Sequence, residues 1–351
     1  MSVLKTIRAM VRQRLWVALC LLNSGVLACA GEGPRSANGA QPPSDSVADA
    51  SVITEDLVRG HISVIADDSM SGRATPSRGL DLTAAYIAAQ FQRLGLSPLG
   101  DNRTFIQRYP LPLQRNVLAP NVVGLLEGTD PILKNQFVVF SAHMDHVGIG
   151  APVNGDSIYN GADDNASGTT AVLALADAFA RSPERPKRSL IFLTVSGEER
   201  GLWGSAHFAS QPPVPIDSIV AALNIDMIGR NWRDTIVAIG KEHSDLGVSI
   251  DRVARAHPEL RLSPIDDPWP NEQFYFRSDH YNFARRGVPV LFFFSGVHGD
   301  YHEPGDEPRK IDVEKATRVA RLLYHFGREV ANAAAKPVWN PESYRRIVGD
   351  K

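Results

Sequence analysis

Five short stretches of this chain set histidine or carboxylate side chains beside turn residues. They are His143-Met144-Asp145, the octet Gly161–Gly168 with Asp163 and Asp164 inside it, Glu198-Glu199, Asp226, and Tyr301-His302. Two imidazoles and three carboxylates make a mixed nitrogen–oxygen donor set of the kind Zn²⁺ takes. A single catalytic zinc uses three protein ligands and a water. Five ligands therefore leave room for two cations about 3.5–4 Å apart, with one carboxylate shared between them. Such a pair makes water acidic near neutral pH, and a spare carboxylate can carry the released proton to a leaving amine.

Each stretch alone is ordinary. Acidic turns cap helices, a Glu-Glu pair starts many solvated helices, and an Asp after a strand is commonly a cap. Their places along the chain are what bind them together. Short apolar runs rich in Val, Ile, Leu and Phe predict strands at 121–126, 137–142, 189–196, 219–225, 235–239 and 288–294. Helical periodicity falls at 79–94, 168–180, 202–209, 244–257, 278–286 and 312–335. Strands alternating with helices indicate an α/β three-layer sandwich, a largely parallel mixed sheet with helices on both faces. His143 and Asp145, Glu198 and Glu199, Asp226 and His302 each follow one of those strands. The carboxyl ends of strands are where open α/β sheets bind ligands. The segment Ser71-Gly72-Arg73 reads as a loop without chemistry of its own, and the tail from Lys336 reads as irregular.

The chain has 351 residues, 43% of them hydrophobic and 22% charged, which suits a globular body with a substantial core. Formal net charge is −2, from 37 basic and 39 acidic residues. The first 28 residues hold Lys5, Arg8, Arg12 and Arg14 and no acid, so the remainder carries 33 basic against 39 acidic residues, or −6. A mildly acidic body with no basic stripe argues against nucleic acid as a partner. The four basic residues precede an apolar run from Leu15 to Ala30 too short to span a membrane comfortably, which reads as an export signal over 1–28. Val26-Leu27-Ala28-Cys29 resembles a bacterial lipobox, which would put a lipid on Cys29 and anchor the protein at a membrane surface facing the periplasm. Ordinary cleavage after Ala28-Cys29-Ala30, giving a soluble exported form, is the alternative. Residues 29–50, rich in Gly, Pro, Ser and Ala, read as a tether, and 51–335 as one catalytic domain. The only other cysteine is Cys20, inside the signal, so the mature chain can hold no internal disulfide.

The motifs SAHMDHVG (141–148), GADDNASG (161–168), SGEERGLWGS (196–205), NIDMIGR (224–230) and DYHEPGD (300–306) resemble those of the co-catalytic di-zinc exopeptidases, as do RSDHYNF and GVPVLFF within 277–293. That family includes bacterial leucyl aminopeptidases and glutamate carboxypeptidase. The resemblance runs from about Ser71 to the last long helix. It implies two Zn²⁺ per chain, with Asp164 as the bridging ligand and the peptide bond after it often cis. One zinc would take His143 and Asp226, the other Glu199 and His302, while Asp163 would not be a ligand. Glu198 resembles the general base, Asp145 the carboxylate that orients His143, and Asp306 a partner of the same kind for His302. Tyr301 matches a position where some members place a tyrosine that steadies the oxyanion. The stretch between residue 94 and His143 is too short for the inserted protease-associated domain of larger relatives.

The function implied is removal of N-terminal residues from peptides through attack by a metal-bridging hydroxide. A carboxypeptidase or dipeptidase on the same centre needs a cation for the substrate carboxylate, and Arg230, Arg233 and Arg277 are available. Glutaminyl cyclisation uses one zinc on a related scaffold, and some receptors keep the fold without metal. The complete ligand set weighs against both. Residues 266–276, with Trp269, Phe274, Tyr275 and Phe276, either line a side-chain pocket or pack as an aromatic lid.

Overall fold

Near-continuous apolar runs such as FVVFSA and LIFLTV cannot show either face to water, so they become the middle of a covered sheet. A computed structural model describes residues 48–112 and 114–349. Its strands are β1 (Ser97–Pro98), β2 (Ile106–Leu111), β3 (Gln114–Leu126), β4 (Phe137–His143), β5 (Gly148–Val153), β6 (Asp156–Tyr159), β7 (Ser189–Val195), β8 (Ile219–Asp226), β9 (Thr235–Ile239), β10 (Ser263–Ile265) and β11 (Val290–Phe294). Its helices are α1 (Ala48–Ser51), α2 (Glu55–Ile65), α3 (Arg78–Arg93), α4 (Gly168–Arg181), α5 (Trp203–Ser210), α6 (Leu246–Ala256), α7 (His280–Ala284), α8 (Val313–Asn332) and α9 (Pro341–Ile347).

The main sheet runs β1-β3-β7-β4-β8-β11-β9-β10, with β2 paired to β3, and β5–β6 form a separate hairpin. β7, β4, β8 and β11 are mutually parallel neighbours, and antiparallel strands flank them on both sides. Because side chains alternate along a strand, each central strand feeds two cores. Val138, Phe140, Leu190 and Phe192 join one core with α2, α3, α4, α6 and α8. Val139, Ile191 and Leu193 join another with Phe208 of α5 and Phe283 of α7. This is the three-layer sandwich expected.

The differences from expectation are local. β3 starts at Gln114 rather than 121, because pairing with β2 extends it through residues whose polarity hid it. α2 lies outside the expected helices; Thr54 caps it by accepting from the Leu57 amide. The tail is not irregular throughout. Asn340 accepts from the amides of Glu342 and Ser343 to start α9, and the Trp339 indole donates to the Gly287 carbonyl. The expected export signal, Cys29 and most of the tether lie outside the described residues. Among the described residues no helix is long and apolar enough to cross a membrane.

Candidate metal centre and active site

Sheet order explains the convergence. His143 is the last residue of β4 and Asp226 the last of β8, while Glu198 and Glu199 follow β7 and the loop after β11 carries His302. Four adjacent parallel strands thus end at one edge, and the octet before α4 brings Asp164 to meet them. The two glycines of that octet are required. A Cβ on Gly168 would stand 2.3 Å from the Ile225 carbonyl oxygen, and one on Gly161 2.4 Å from the His146 ring. Gly161 also has φ +55°, which suits glycine. Asn165 fastens the octet to β8, donating to the Ile225 carbonyl at 3.0 Å and accepting from the Gly168 amide at 2.8 Å. The Asp164–Asn165 peptide bond is cis.

Asp164 stands between two groups of ligands. Its Oδ1 lies 3.3 Å from His143 Nε2, which lies 3.4 Å from Asp226 Oδ1. Its Oδ2 lies 3.1 Å from His302 Nε2, which lies 3.0 Å from Glu199 Oε2. The structure therefore brings all five expected ligand side chains together, in the two pairs expected. Donor atoms of His143, Glu198 and Asp226 fall within 4.8 Å of one another, as do those of His146, Asp164, Glu199 and His302. The fit to cations rests on this donor set and on two buried atoms. His302 Nε2 and Asp226 Oδ1 make no well-directed hydrogen bond although carboxylate oxygens or an imidazole nitrogen surround them. A cation of the size of Zn²⁺ satisfies that arrangement.

Charge follows the same division. Burial works to raise the Asp164 carboxyl, but the close imidazoles of His143 and His302 outweigh it and hold the group well below the usual range. Burial would lower His302; contacts with Asp164 and Glu199 win and raise it to about 10 in the metal-free protein. Glu198 has no such imidazole bound to it. Burial pushes its carboxyl well up, and Asp279, Asp226 and Glu199 add to the effect, against the pull of His143.

The supporting residues differ in part from expectation. The Asp145 carboxylate is 3.8 Å from His143 Nδ1, whereas its main-chain carbonyl is 3.2 Å away and is the closer partner. The carboxylate itself accepts from Thr75 Oγ1 at 2.9 Å and the Glu198 amide at 3.3 Å, so it also fixes the general-base loop. Asp306 corrects the expectation outright. Its carboxylate accepts from the amides of Asp163 and Asp164 at 3.0–3.1 Å and not from His302, so it holds the backbone of the shared ligand. Asp163 faces away, accepting from the Gly229 amide at 2.6 Å with His298 at 3.3 Å.

Three contributors escaped sequence reasoning. His146 Nδ1 lies 2.9 Å from Glu199 Oε1, steering the other oxygen toward His302. The second imidazole of HMDH was visible, but nothing in its spacing separated it from a surface residue. Ser278 donates to Asp226 Oδ2 at 3.2 Å and accepts from Asn224. Arg73, assigned to a loop without chemistry, is fully buried and donates to the carbonyls of Met144, Ile65, Asn160 and Gly161. It thereby ties the loop after β4 to the start of the octet.

A cavity of about 50 Å³ opens beside the cluster, lined by His143, Asp164, Glu198, Asp226 and Tyr301 on one side and Met227, Phe274, Phe292, Phe294 and Val297 on the other. The Tyr301 ring stacks on His302 at 3.9 Å. Burial, reinforced by the surrounding carboxylates, raises its phenol, which stays a neutral donor. Within 266–276 the roles divide. Phe274 lines the cavity, whereas Trp269 packs behind it on Phe294 and stacks on Trp232. Of the three arginines, Arg230 pairs with Asp300 and Arg233 with Asp312 and Glu314. Only Arg277 reaches the cavity, with its guanidinium 4.7 Å from the Phe274 ring centre.

Comparison with known proteins supports the same reading. The chain is 24% identical over 307 residues to a probable zinc metalloprotease of Pyrenophora teres f. teres, covering 74% of this chain and 62% of that one. It is 27% identical over 226 residues to a probable leucine aminopeptidase of Arthroderma benhamiae, covering 62% and 59%. It thus spans less than two-thirds of these relatives' length. In fold it is similar to the LapA aminopeptidase of Legionella pneumophila, with a TM-score of 0.64 at 20% identity over 86% of this chain and 79% of that one. A family model described as peptidase family M28 matches residues 121–327, more than half of the chain. The chain belongs to peptidase family M28.

Proposed function

We propose that this protein is a two-zinc aminopeptidase that removes N-terminal residues from peptides outside the cytoplasm. The observation that carries the reading is Asp164, which sets one carboxylate oxygen beside His143, itself paired with Asp226, and the other beside His302, itself paired with Glu199. Two Zn²⁺ ions held there would polarise the scissile carbonyl and acidify a water. Glu198, with its carboxyl pushed up by burial, takes the proton of that water and hands it to the departing amine. The neutral Tyr301 phenol donates to the oxyanion of the tetrahedral intermediate. Met227, Phe274, Phe292, Phe294 and Val297 receive an apolar side chain.

The lining of the cavity favours the amino end of the peptide. A substrate carboxylate needs a free cation there, whereas Asp164 and Asp226 serve as ligands and Glu198 as base. Among the described residues the one guanidinium in the lining is Arg277, half-exposed and 3.4 Å from Glu272. Export over 1–28 and a lipid on Cys29 complete the proposal.

A peptide set in which each member has a free and a blocked N-terminus tests the reading. Cleavage of the free-amine forms alone, abolished by a chelator and restored by Zn²⁺, is expected. Trimming of the blocked forms from the carboxyl end would move the assignment to a carboxypeptidase that uses Arg277.

A further inference from the structure

Away from the sheet edge a second histidine–carboxylate cluster joins two helices. His257 ends α6, Glu259 lies in the single turn Pro258–Leu260, and His325 sits in α8. One donor atom from each lies within 4.8 Å of the others. The two imidazoles stack with ring centres 3.6 Å apart and planes 20° from parallel, and His257 Nδ1 is 2.9 Å from Glu259 Oε1. All three line a groove of about 800 Å³ beside α6 and α8, and none of the groove's residues belongs to the cluster around Asp164. The basic groups nearby are already engaged: Arg328 with Glu184, Arg252 with Glu329, and Arg321 with the Ile53 carbonyl.

We infer that His257, Glu259 and His325 bind a further divalent transition metal ion, Zn²⁺ or Cu²⁺ by donor type, that braces the end of α6 against α8. Two imidazoles and one carboxylate are the ligand set of an open zinc site, with the remaining positions left to water. His257 and Glu259 come from the end of α6 and the turn after it and His325 from α8, so one ion would add a cross-link to the Arg252–Glu329 pair and to the bonds that Arg318 of α8 makes to the Leu260 and Arg261 carbonyls. Zn–N bonds of about 2.0–2.1 Å require the rings to fan out of their stack, and half-buried positions at the mouth of a groove permit that motion. Among divalent ions Cu²⁺ is held most tightly by such a set. The ion plays no part in hydrolysis, because no donor of this cluster reaches the cavity beside Asp164.

The test is zinc content per chain after equilibrium dialysis of the full-length protein in a micromolar free-zinc buffer, for wild type, His257→Ala and His325→Ala. The expected result is one zinc fewer in each variant than in wild type, with peptide hydrolysis unchanged. Added zinc should also raise the melting temperature of the wild type more than that of either variant. The exposed Glu259→Gln covers the case in which a histidine variant fails to fold, and it should weaken the same zinc equivalent several-fold. Equal zinc content in wild type and variants would overturn the inference, as would loss of hydrolysis in parallel with the lost ion.

Discussion

His143 and His302 face the same carboxylate from opposite sides, yet the chain holds them by different means. His143 is 1% exposed and belongs to a central parallel strand, with Thr169 of α4 bonded to its carbonyl. Its partner Asp226 ends the next strand and is held by a chain of hydrogen bonds through Ser278, Asn224 and Ser141. His302 is 38% exposed and sits in a loop with φ +57°, positioned by the stacked Tyr301 ring and the edge of His146. One half of the centre is built into sheet register; the other is brought to it by a loop. The sheet half should therefore keep its ion when the loop half has lost its own.

Asp164 is the point the halves share, so its removal breaks both. Asp164→Ala should bind neither ion tightly and show no measurable hydrolysis; metal analysis after dialysis, with an assay, checks this. The next largest effects separate the halves. His302→Ala should lose one zinc and keep the other, with a small fall in the melting temperature of the metal-free state. His143→Ala should lower that melting temperature further, because it leaves the buried Asp164 and Asp226 carboxylates without their shared imidazole. Equal zinc loss and equal melting shifts in the two variants would erase the proposed asymmetry. A smaller effect belongs to Asp306. Asp306→Ala should weaken metal binding roughly 10- to 100-fold, the usual cost of losing a group that orients a ligand. Asp306→Asn should cost less, since an amide oxygen still accepts from the Asp163 and Asp164 amides. If Asn were as harmful as Ala, the carboxylate would be acting through its charge.

The smallest effect is a pH dependence that both halves share: burial would lower His143, but Asp226, Glu198 and Asp164 raise it well above its usual value, and His302 behaves alike. In the metal-free protein His302 is raised to about 10, so near pH 7 it carries a proton that an incoming cation must displace. Zinc affinity should therefore rise with pH, and binding should release protons. Calorimetry at pH 7 in two buffers of different ionisation enthalpy would show this, and identical heats would contradict it. The sign for stability is opposite. A raised histidine stabilises the metal-free fold fully below its unfolded value near 6.5, and that contribution fades as pH rises toward 10. Melting temperatures of the metal-free protein across that window check the direction.

What could be read from the sequence and what could not divide along the same line. The central strands were legible because both faces are buried, which writes them as unbroken Val, Ile, Leu and Phe. With their ends located, the ligands that follow them were located too. β9 at 235–239 and α4 after Gly168 fell where periodicity put them. The flanking pieces were not legible. β2 and the first half of β3 have mixed polarity and depend on pairing with each other, and α2 depends on packing against α8. Arg73 and Asp306 act by bonding main-chain groups distant in sequence, and no residue pattern records which amide a carboxylate will meet. The pairing of Asp306 with the octet instead of His302 is of that kind, because four-residue spacing implies proximity only on a helix.

The central claim is that Glu198 moves the proton in a centre whose ions are held by other residues. Glu198→Ala, purified alongside wild type and compared for zinc content, melting temperature and peptide hydrolysis, tests it most directly. The expected result is unchanged zinc and fold, with turnover lower by about 10²–10⁴-fold. Full activity in that variant, or loss of zinc in step with activity, would contradict the account.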